Sequence, residues 1–244
     1  PAKVLNRYGA CVFDVAVWSH GLAACAHCLF AWYLKSGWQH GRAGGALIAA
    51  ALGSAFWCVC NVALVLWPEA AWSMSLALFG EVVRYGAWLI FVLIVLDGLG
   101  GAGVRSLAWS VVTVLATALL ATGMRTQWPM IMPAALIACV VCLLVLVEQL
   151  FRRVPAGSLT AGVIFDLYFF ADTLLFGGVD GDVWAARGAV WALLIPLVGL
   201  SAARNRDWTV QIRLSRTAAF HTCALALSGL YLLAIAAVGY YIRY

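Results

Sequence analysis

Long apolar stretches separated by short polar segments run along the whole chain. The stretches are continuous rather than alternating, so they lack the period-two pattern of membrane-barrel strands. About 20 apolar residues are enough to cross the hydrocarbon core as a helix. The pattern therefore predicts an all-α, polytopic bundle of about eight transmembrane helices. We place the spans at 11–34, 44–66, 78–96, 107–122, 130–150, 159–176, 184–201 and 218–242.

The composition indicates that these stretches lie in lipid. Hydrophobic residues make up 65% of the 244 residues and charged residues 10%, and the mean hydropathy is +0.98. A water-soluble protein of this length needs more polar surface. We expect residues 1–244 to form one transmembrane domain with the lipid bilayer as its main partner. The net charge of +5 lies in short loops that face lipid headgroups, so no nucleic-acid partner is predicted.

The distribution of Lys and Arg predicts the orientation, because cytoplasmic loops retain positive charge during insertion. Nine basic residues fall on one side of the predicted bundle and five on the other, with Arg84 inside a span. The loop near Lys35 belongs to the richer side and is predicted to be cytoplasmic. The N-terminus is therefore predicted outside, and eight helices return Tyr244 to the outside as well.

Ionisable residues within or at the ends of spans are the main functional candidates, since each costs a few kcal/mol at mid-bilayer unless it is paired or hydrated. They are Asp14, Glu81, Arg84, Glu148, Asp166, Asp172 and Arg187. The residues predicted to form a ligand or signal site are Glu81, Arg84, Asp166, Asp172 and Arg187. The alternative is that these charges only fix the packing of the helices.

The predicted spans also suggest the depth and the partners of these charges. Glu81 and Arg84 lie three residues apart on one helix face and are expected to pair. Together with Asp172 they are predicted near the outer surface, and the adjoining outer loop is predicted to contain Asp180, Asp182 and Arg187. Asp166 is predicted to lie deeper. It is about 120° from Asp172 around the helix, so the two carboxylates are expected to have different partners.

Cysteine and histidine offer an alternative chemistry. The eight cysteines all fall in predicted spans and are interpreted as packing residues, although 25–28 and 139–142 have CxxC spacing. His27 and His221 come nearest to a matched depth on two helices and are alternative haem-ligand candidates. Histidines that pack between helices are favoured, so no metal and no cofactor is predicted. Lys3 and Lys35 are the only lysines, which excludes a retinal Schiff base in a late helix.

The second half of the chain, roughly residues 143–244, resembles the membrane region of PrsK-type sensor histidine kinases of PEP-CTERM/exosortase systems. The motifs that carry the resemblance are Val-Glu-Gln-Leu-Phe-Arg-Arg at 147–153, Phe-Asp-Leu-Tyr-Phe-Phe-Ala-Asp-Thr-Leu-Leu-Phe at 165–176, Trp-Ala-Ala-Arg-Gly-Ala-Val at 184–190, Ala-Ala-Arg-Asn-Arg-Asp-Trp at 202–208, Ser-Arg at 215–216, Phe-His at 220–221, Gly-Leu-Tyr-Leu-Leu at 229–233 and Gly-Tyr-Tyr at 239–241. Before residue 143 the likeness is one of hydropathy and helix count.

The resemblance implies a sensor in the inner membrane of a Gram-negative bacterium, followed in the parent protein by a cytoplasmic GAF domain and a histidine kinase. It further implies a homodimer formed through the parent kinase and a response regulator that controls exopolysaccharide and PEP-CTERM genes. These residues contain no phosphoacceptor helix and no ATP-lid motif, so kinase catalysis would reside outside them. We expect a ninth helix after Tyr244, with this chain a fragment or the ordered portion of its parent.

The segment before the last predicted helix alternates apolar and polar residues from Trp208 to Ser215. Period two indicates a short extended segment. The predicted signal-relay residues are Trp208, Arg213, Arg216 and His221. An amphipathic loop that lies on headgroups is the alternative.

Three functions follow from these observations. Signal perception for a kinase is favoured. An accessory subunit of a larger membrane complex, with haem binding as one form of it, is the second. A small transporter or channel is the third, although the internal repetition expected of many transporters is not evident in the sequence.

Overall fold

The computed structural model describes the backbone of residues 2–37, 41–98, 104–124, 130–151 and 157–204. Within these ranges the chain forms seven α-helices. They are α1 (Ala2–Gly37), α2 (Arg42–Leu66), α3 (Ala71–Gly98), α4 (Val104–Met124), α5 (Ile131–Phe151), α6 (Gly157–Phe176) and α7 (Gly181–Arg204). Each contains an apolar segment of 18 residues or more, long enough to cross a membrane. The prediction of an all-α, multi-pass bundle is confirmed, and the eighth predicted span, 218–242, lies outside the described residues.

The start of α3 differs from the sequence prediction. The prediction began this helix at residue 78, but the helix begins at Ala71, directly after a turn at 67–70. Pro68 prevents α2 from continuing, because it lacks an N–H group for the helical ladder. Trp72 and the two serines that follow lower the local hydropathy, so the predicted span starts too late. Trp72 is 52% exposed, as is typical of a tryptophan near a membrane interface.

Six of the seven described helices form a closed ring. Neighbours pack together in the order α1, α2, α3, α5, α6 and α7, and α7 packs against α1. Helix α4 packs against α3 and α5 from outside this ring. Its side chains Trp109 and Leu120 are 68% and 70% exposed, as expected for a helix that faces lipid. The ring leaves an interior into which large side chains project from several helices.

Small residues allow the closest helix crossings in the ring. A Cβ atom added at Gly188 of α7 would lie 2.7 Å from the backbone nitrogen of His20 in α1. At the same crossing the Ser19 hydroxyl donates a hydrogen bond to the Ala185 carbonyl. Gly80 of α3 approaches Cys60 of α2 in the same way, with 3.2 Å between the added Cβ and the cysteine side chain. Close backbone approach through small residues is the usual way in which helices associate in lipid.

Candidate functional site: an ion cluster inside the ring

Four charged side chains meet inside the ring and form what we call the ion cluster: Glu81 and Arg84 of α3, Asp166 of α6 and Arg187 of α7. Their exposed fractions are 5%, 0%, 0% and 1% in that order. Bulk lipid and bulk water are both excluded from groups buried to this extent. The protein itself must therefore compensate their charges.

Each arginine of the ion cluster contacts both carboxylates. Arg84 Nη2 lies 3.0 Å from Glu81 Oε2 and 2.7 Å from Asp166 Oδ2. Arg187 Nη1 and Nη2 lie 2.6 and 3.2 Å from the two oxygens of Glu81, and its Nε lies 3.0 Å from Asp166 Oδ1. These contacts form four ion pairs, which close a cycle with two positive and two negative charges. The cluster is therefore neutral without any further ion.

Two aromatic side chains complete the hydrogen bonding of Asp166. The Tyr85 hydroxyl donates to Asp166 Oδ2 at 2.7 Å and accepts a hydrogen bond from Arg84 Nη2 at 2.7 Å. The indole N–H of Trp191, one turn after Arg187 on α7, donates to the same Oδ2 at 3.2 Å. Asp166 consequently accepts hydrogen bonds from α3 and α7 at once. Asp166 therefore joins its own helix, α6, to both α3 and α7.

Aromatic rings surround the two guanidinium groups. Arg84 Cζ lies 3.9 Å from the centre of the Trp57 ring of α2, and Arg187 Cζ lies 4.4 Å from the centre of the Phe169 ring of α6. Such cation–π contacts contribute more when both partners are desolvated. The guanidinium groups thus pack against aromatic rings where they do not contact a carboxylate.

The ion cluster crosses the interior of the ring. Helices α3 and α6 are not neighbours in the ring order, since α5 lies between them on one side and α2, α1 and α7 on the other. Nevertheless Arg84 and Asp166 are joined directly across this interior. Removal of one partner from such a buried ion pair leaves an uncompensated charge and costs about 3–5 kcal/mol. The cluster therefore restricts the positions that these helices can take relative to one another.

No family model, curated protein or solved structure matches the chain. A functional proposal therefore depends on the described side chains and on the sequence motifs.

The structure brings together four of the five residues that the sequence singled out. The predicted pairing of Glu81 with Arg84 is confirmed. Asp172 lies six residues further along α6 than Asp166, is half-buried and takes no part in the four ion pairs of the cluster. Separate surroundings for the two aspartates agree with the predicted angle between them.

The predicted depth of Glu81 and Arg84 was wrong. Because α3 begins at Ala71, Glu81 lies ten residues into the helix, which is about 15 Å from its start. Asp166 lies near the middle of α6, so the cluster occupies the central part of the bundle rather than its surface. Arg187 is likewise buried inside α7 and does not belong to a loop.

Sequence reasoning missed the aromatic partners Trp57, Tyr85 and Trp191. Trp191 follows Arg187 by four residues and therefore lies on the same helix face, which was an available signal. Tyr85 follows Arg84 directly, and nothing in its own apolar surroundings distinguishes it from a packing residue. Trp57 comes from a different helix, and the sequence gives no indication of its contact with Arg84.

The histidines of α1 are bonded to their own helix. Nδ1 of His20 lies 3.1 Å from the Ala16 carbonyl, and Nδ1 of His27 lies 2.8 Å from the Ala23 carbonyl. The second haem-ligand candidate, His221, and the relay candidates Trp208, Arg213 and Arg216 all lie outside the described residues. Among the residues that are described, no group of three or more His, Cys, Asp or Glu side chains could hold a metal ion.

Proposed function

We propose that the bundle is the signal-perception region of a PrsK-type sensor histidine kinase, which passes a stimulus to a kinase outside these residues. The observation that carries the proposal is the ion cluster across the ring. Asp166 and Arg187, two of its members, fall in the motifs at 165–176 and 184–190 that carry the resemblance to these kinases.

A cluster of this kind couples helices that are not all neighbours in the ring, as α3 and α6 are not. If a stimulus displaces α6, Asp166 must either carry Arg84 and Arg187 with it or leave two buried charges unpaired. Arrangements that keep all four charges paired are few, so the bundle favours discrete states over gradual deformation. A ligand or a change in the membrane that stabilises one such state would shift the population towards it.

The proposal includes the orientation that the basic residues predict. With the N-terminus outside and α1 running inward, α7 ends at Arg204 on the cytoplasmic side of a bacterial inner membrane. The predicted relay residues, Trp208, Arg213, Arg216 and His221, would then follow α7 on the side where a kinase meets ATP. A homodimer and a response regulator are further parts of the proposal, and both are carried by the resemblance.

The test is the kinase output of the full-length parent protein in inverted membrane vesicles. Glu81→Gln keeps the shape of the side chain but removes the charge that both arginines contact. We expect a severalfold change in the basal transfer of phosphate to the response regulator, upward or downward, because the balance between states shifts. Glu69→Gln is the matched control, since Glu69 is exposed in the turn between α2 and α3.

Equal membrane insertion of the two variants and the unaltered protein must be verified first, by extraction and gel filtration. Unchanged output from a well-inserted E81Q protein would contradict the proposed role of the cluster in signalling. A parent protein without any kinase region would contradict the assignment as a whole.

A further inference from the structure

Arg84 uses only one of its three nitrogen atoms for hydrogen bonding. Nη2 contacts Glu81, Tyr85 and Asp166, whereas Nε and Nη1 are fully buried and have no hydrogen-bond partner among the described residues. These two atoms carry three N–H bonds. The aromatic rings near Arg84 stabilise its charge, yet they offer no lone pair to these hydrogens. Buried donors on a charged group without an acceptor are costly, so an acceptor is expected there.

Two neighbouring side chains, Trp57 and His20, also carry a buried nitrogen atom without a hydrogen-bond partner among the described residues. The indole N–H of Trp57, whose ring lies 3.9 Å from Arg84 Cζ, is buried and has no acceptor in the described part of the chain. His20 packs with its ring centre 5.4 Å from that of Trp57, and its Nε2 is likewise buried and unpartnered. All three side chains are 0% exposed. The side chains that carry these unpartnered atoms thus form one contiguous group contributed by α1, α2 and α3.

The chemistry of the three groups defines what could satisfy them. Arg84 and Trp57 supply donors. The Nδ1 atom of His20 lies beside the Ala16 carbonyl, which can only accept, and beside the Ser19 hydroxyl, which donates to the Ala185 carbonyl. A neutral His20 ring in this place is therefore expected to carry its proton on Nδ1 and to have a lone pair on Nε2. An occupant must therefore accept hydrogen bonds from Arg84 and Trp57 and donate one to His20. A hydroxyl group does both.

The ion cluster excludes a charged occupant on energetic grounds. Its two arginines and two carboxylates already balance, so an added anion or cation would bring an uncompensated charge into the bundle interior. We propose that the side chains of His20, Trp57 and Arg84 form a binding site for a small neutral hydroxyl-bearing molecule. Water and a hydroxylated organic ligand share this chemistry and are the two possible sources. The inference does not depend on the proposed sensor function.

The experiment is solid-state NMR of the unaltered chain in lipid bilayers with ¹⁵N-labelled indole groups. Magnetisation is transferred from water to each indole N–H, and the Trp57 signal is assigned by its loss in Trp57→Phe. Trp88 is the matched control, because it is 3% exposed and its indole N–H already donates to the Ser54 hydroxyl at 3.0 Å. If water occupies the site, the Trp57 signal should be severalfold stronger than that of Trp88.

If an organic ligand occupies the site, water transfer to Trp57 should be as weak as to Trp88. Native mass spectrometry of the protein purified from its own membrane should then detect a bound neutral compound, which is lost in W57F and retained in W88F. The absence of both signals would overturn the proposal. Should W57F fail to insert, a crystal structure of the unaltered chain decides, since an oxygen must then lie about 2.7–3.2 Å from Trp57 Nε1 or the free nitrogens of Arg84.

Discussion

The two sides of the bundle hold their helices together by different means. Helices α4 and α5 form what we call the apolar side, and α1, α2, α6 and α7 form the ionic side. Every fully buried side chain that the structure describes in α4 and α5 is apolar, with Leu143 and Val140 at 0% exposure as examples. The buried polar and charged side chains of the described residues come from α1, α2, α3, α6 and α7 instead. Helix α3 borders both sides, because it packs against α2 on one and against α4 and α5 on the other.

This difference determines how precisely each side is positioned. Lipid tails are as apolar as leucine, so apolar contacts between helices have no hydrophobic advantage over contacts with lipid and depend on packing alone. Ion pairs and hydrogen bonds have fixed partners and directions, and water is not available to replace them. We therefore expect the ionic side to define the positions of the helices, and the apolar side to tolerate small shifts.

The largest effect is expected when the ion cluster loses one member. Asp166→Leu removes the carboxylate that both arginines contact and should lower the free energy of unfolding by about 3–5 kcal/mol, because buried charge is left unpaired. Unfolding in mixed detergent micelles measures the change. A loss below about 1 kcal/mol would contradict a structural role for the cluster. Replacement of all four charged residues by Leu or Met is the companion variant and should recover most of the stability.

A smaller effect is expected on the apolar side. Leu143→Ala, at a fully buried position of α5, should cost about 2 kcal/mol, because packing contacts are lost and the cavity is only partly filled. The same unfolding measurement applies. Leu120→Ala is the control, since Leu120 is 70% exposed on α4 and lipid replaces its contacts. If both variants were equally destabilised, the placement of α4 outside the ring would be wrong.

The smallest effect is expected for a single hydrogen bond inside the cluster. Tyr85→Phe keeps the ring but removes the hydroxyl that bridges Arg84 and Asp166. Hydrogen bonds between membrane helices contribute about 0.6 kcal/mol on average and about 1.7 kcal/mol at most, and we expect a loss in this range. A larger loss would mean that the cluster depends on this hydroxyl for its geometry, and would increase the difference between the two sides.

Some of the candidate site could be predicted from the sequence. The cost of charge in lipid singled out Glu81, Arg84, Asp166 and Arg187, and helical spacing paired the first two. The partners of Asp166 could not be predicted, because Arg84 lies 82 residues away along the chain and no local pattern relates the two positions. The depth of the cluster was missed for a simpler reason: hydropathy does not distinguish an interfacial first turn, such as that of α3, from a loop.

The sequence by itself determined that seven described segments form helices and that the chain lies in a membrane, because each span satisfies its own backbone hydrogen bonds and needs no information from elsewhere. The tertiary structure alone decided the order of helices in the ring, the position of α4 outside it, and the meeting of α3, α6 and α7 at Asp166. These features depend on which side chains fit against one another across helices. For that reason the ion cluster, although each of its charges was visible in the sequence, became a single site only in the folded bundle.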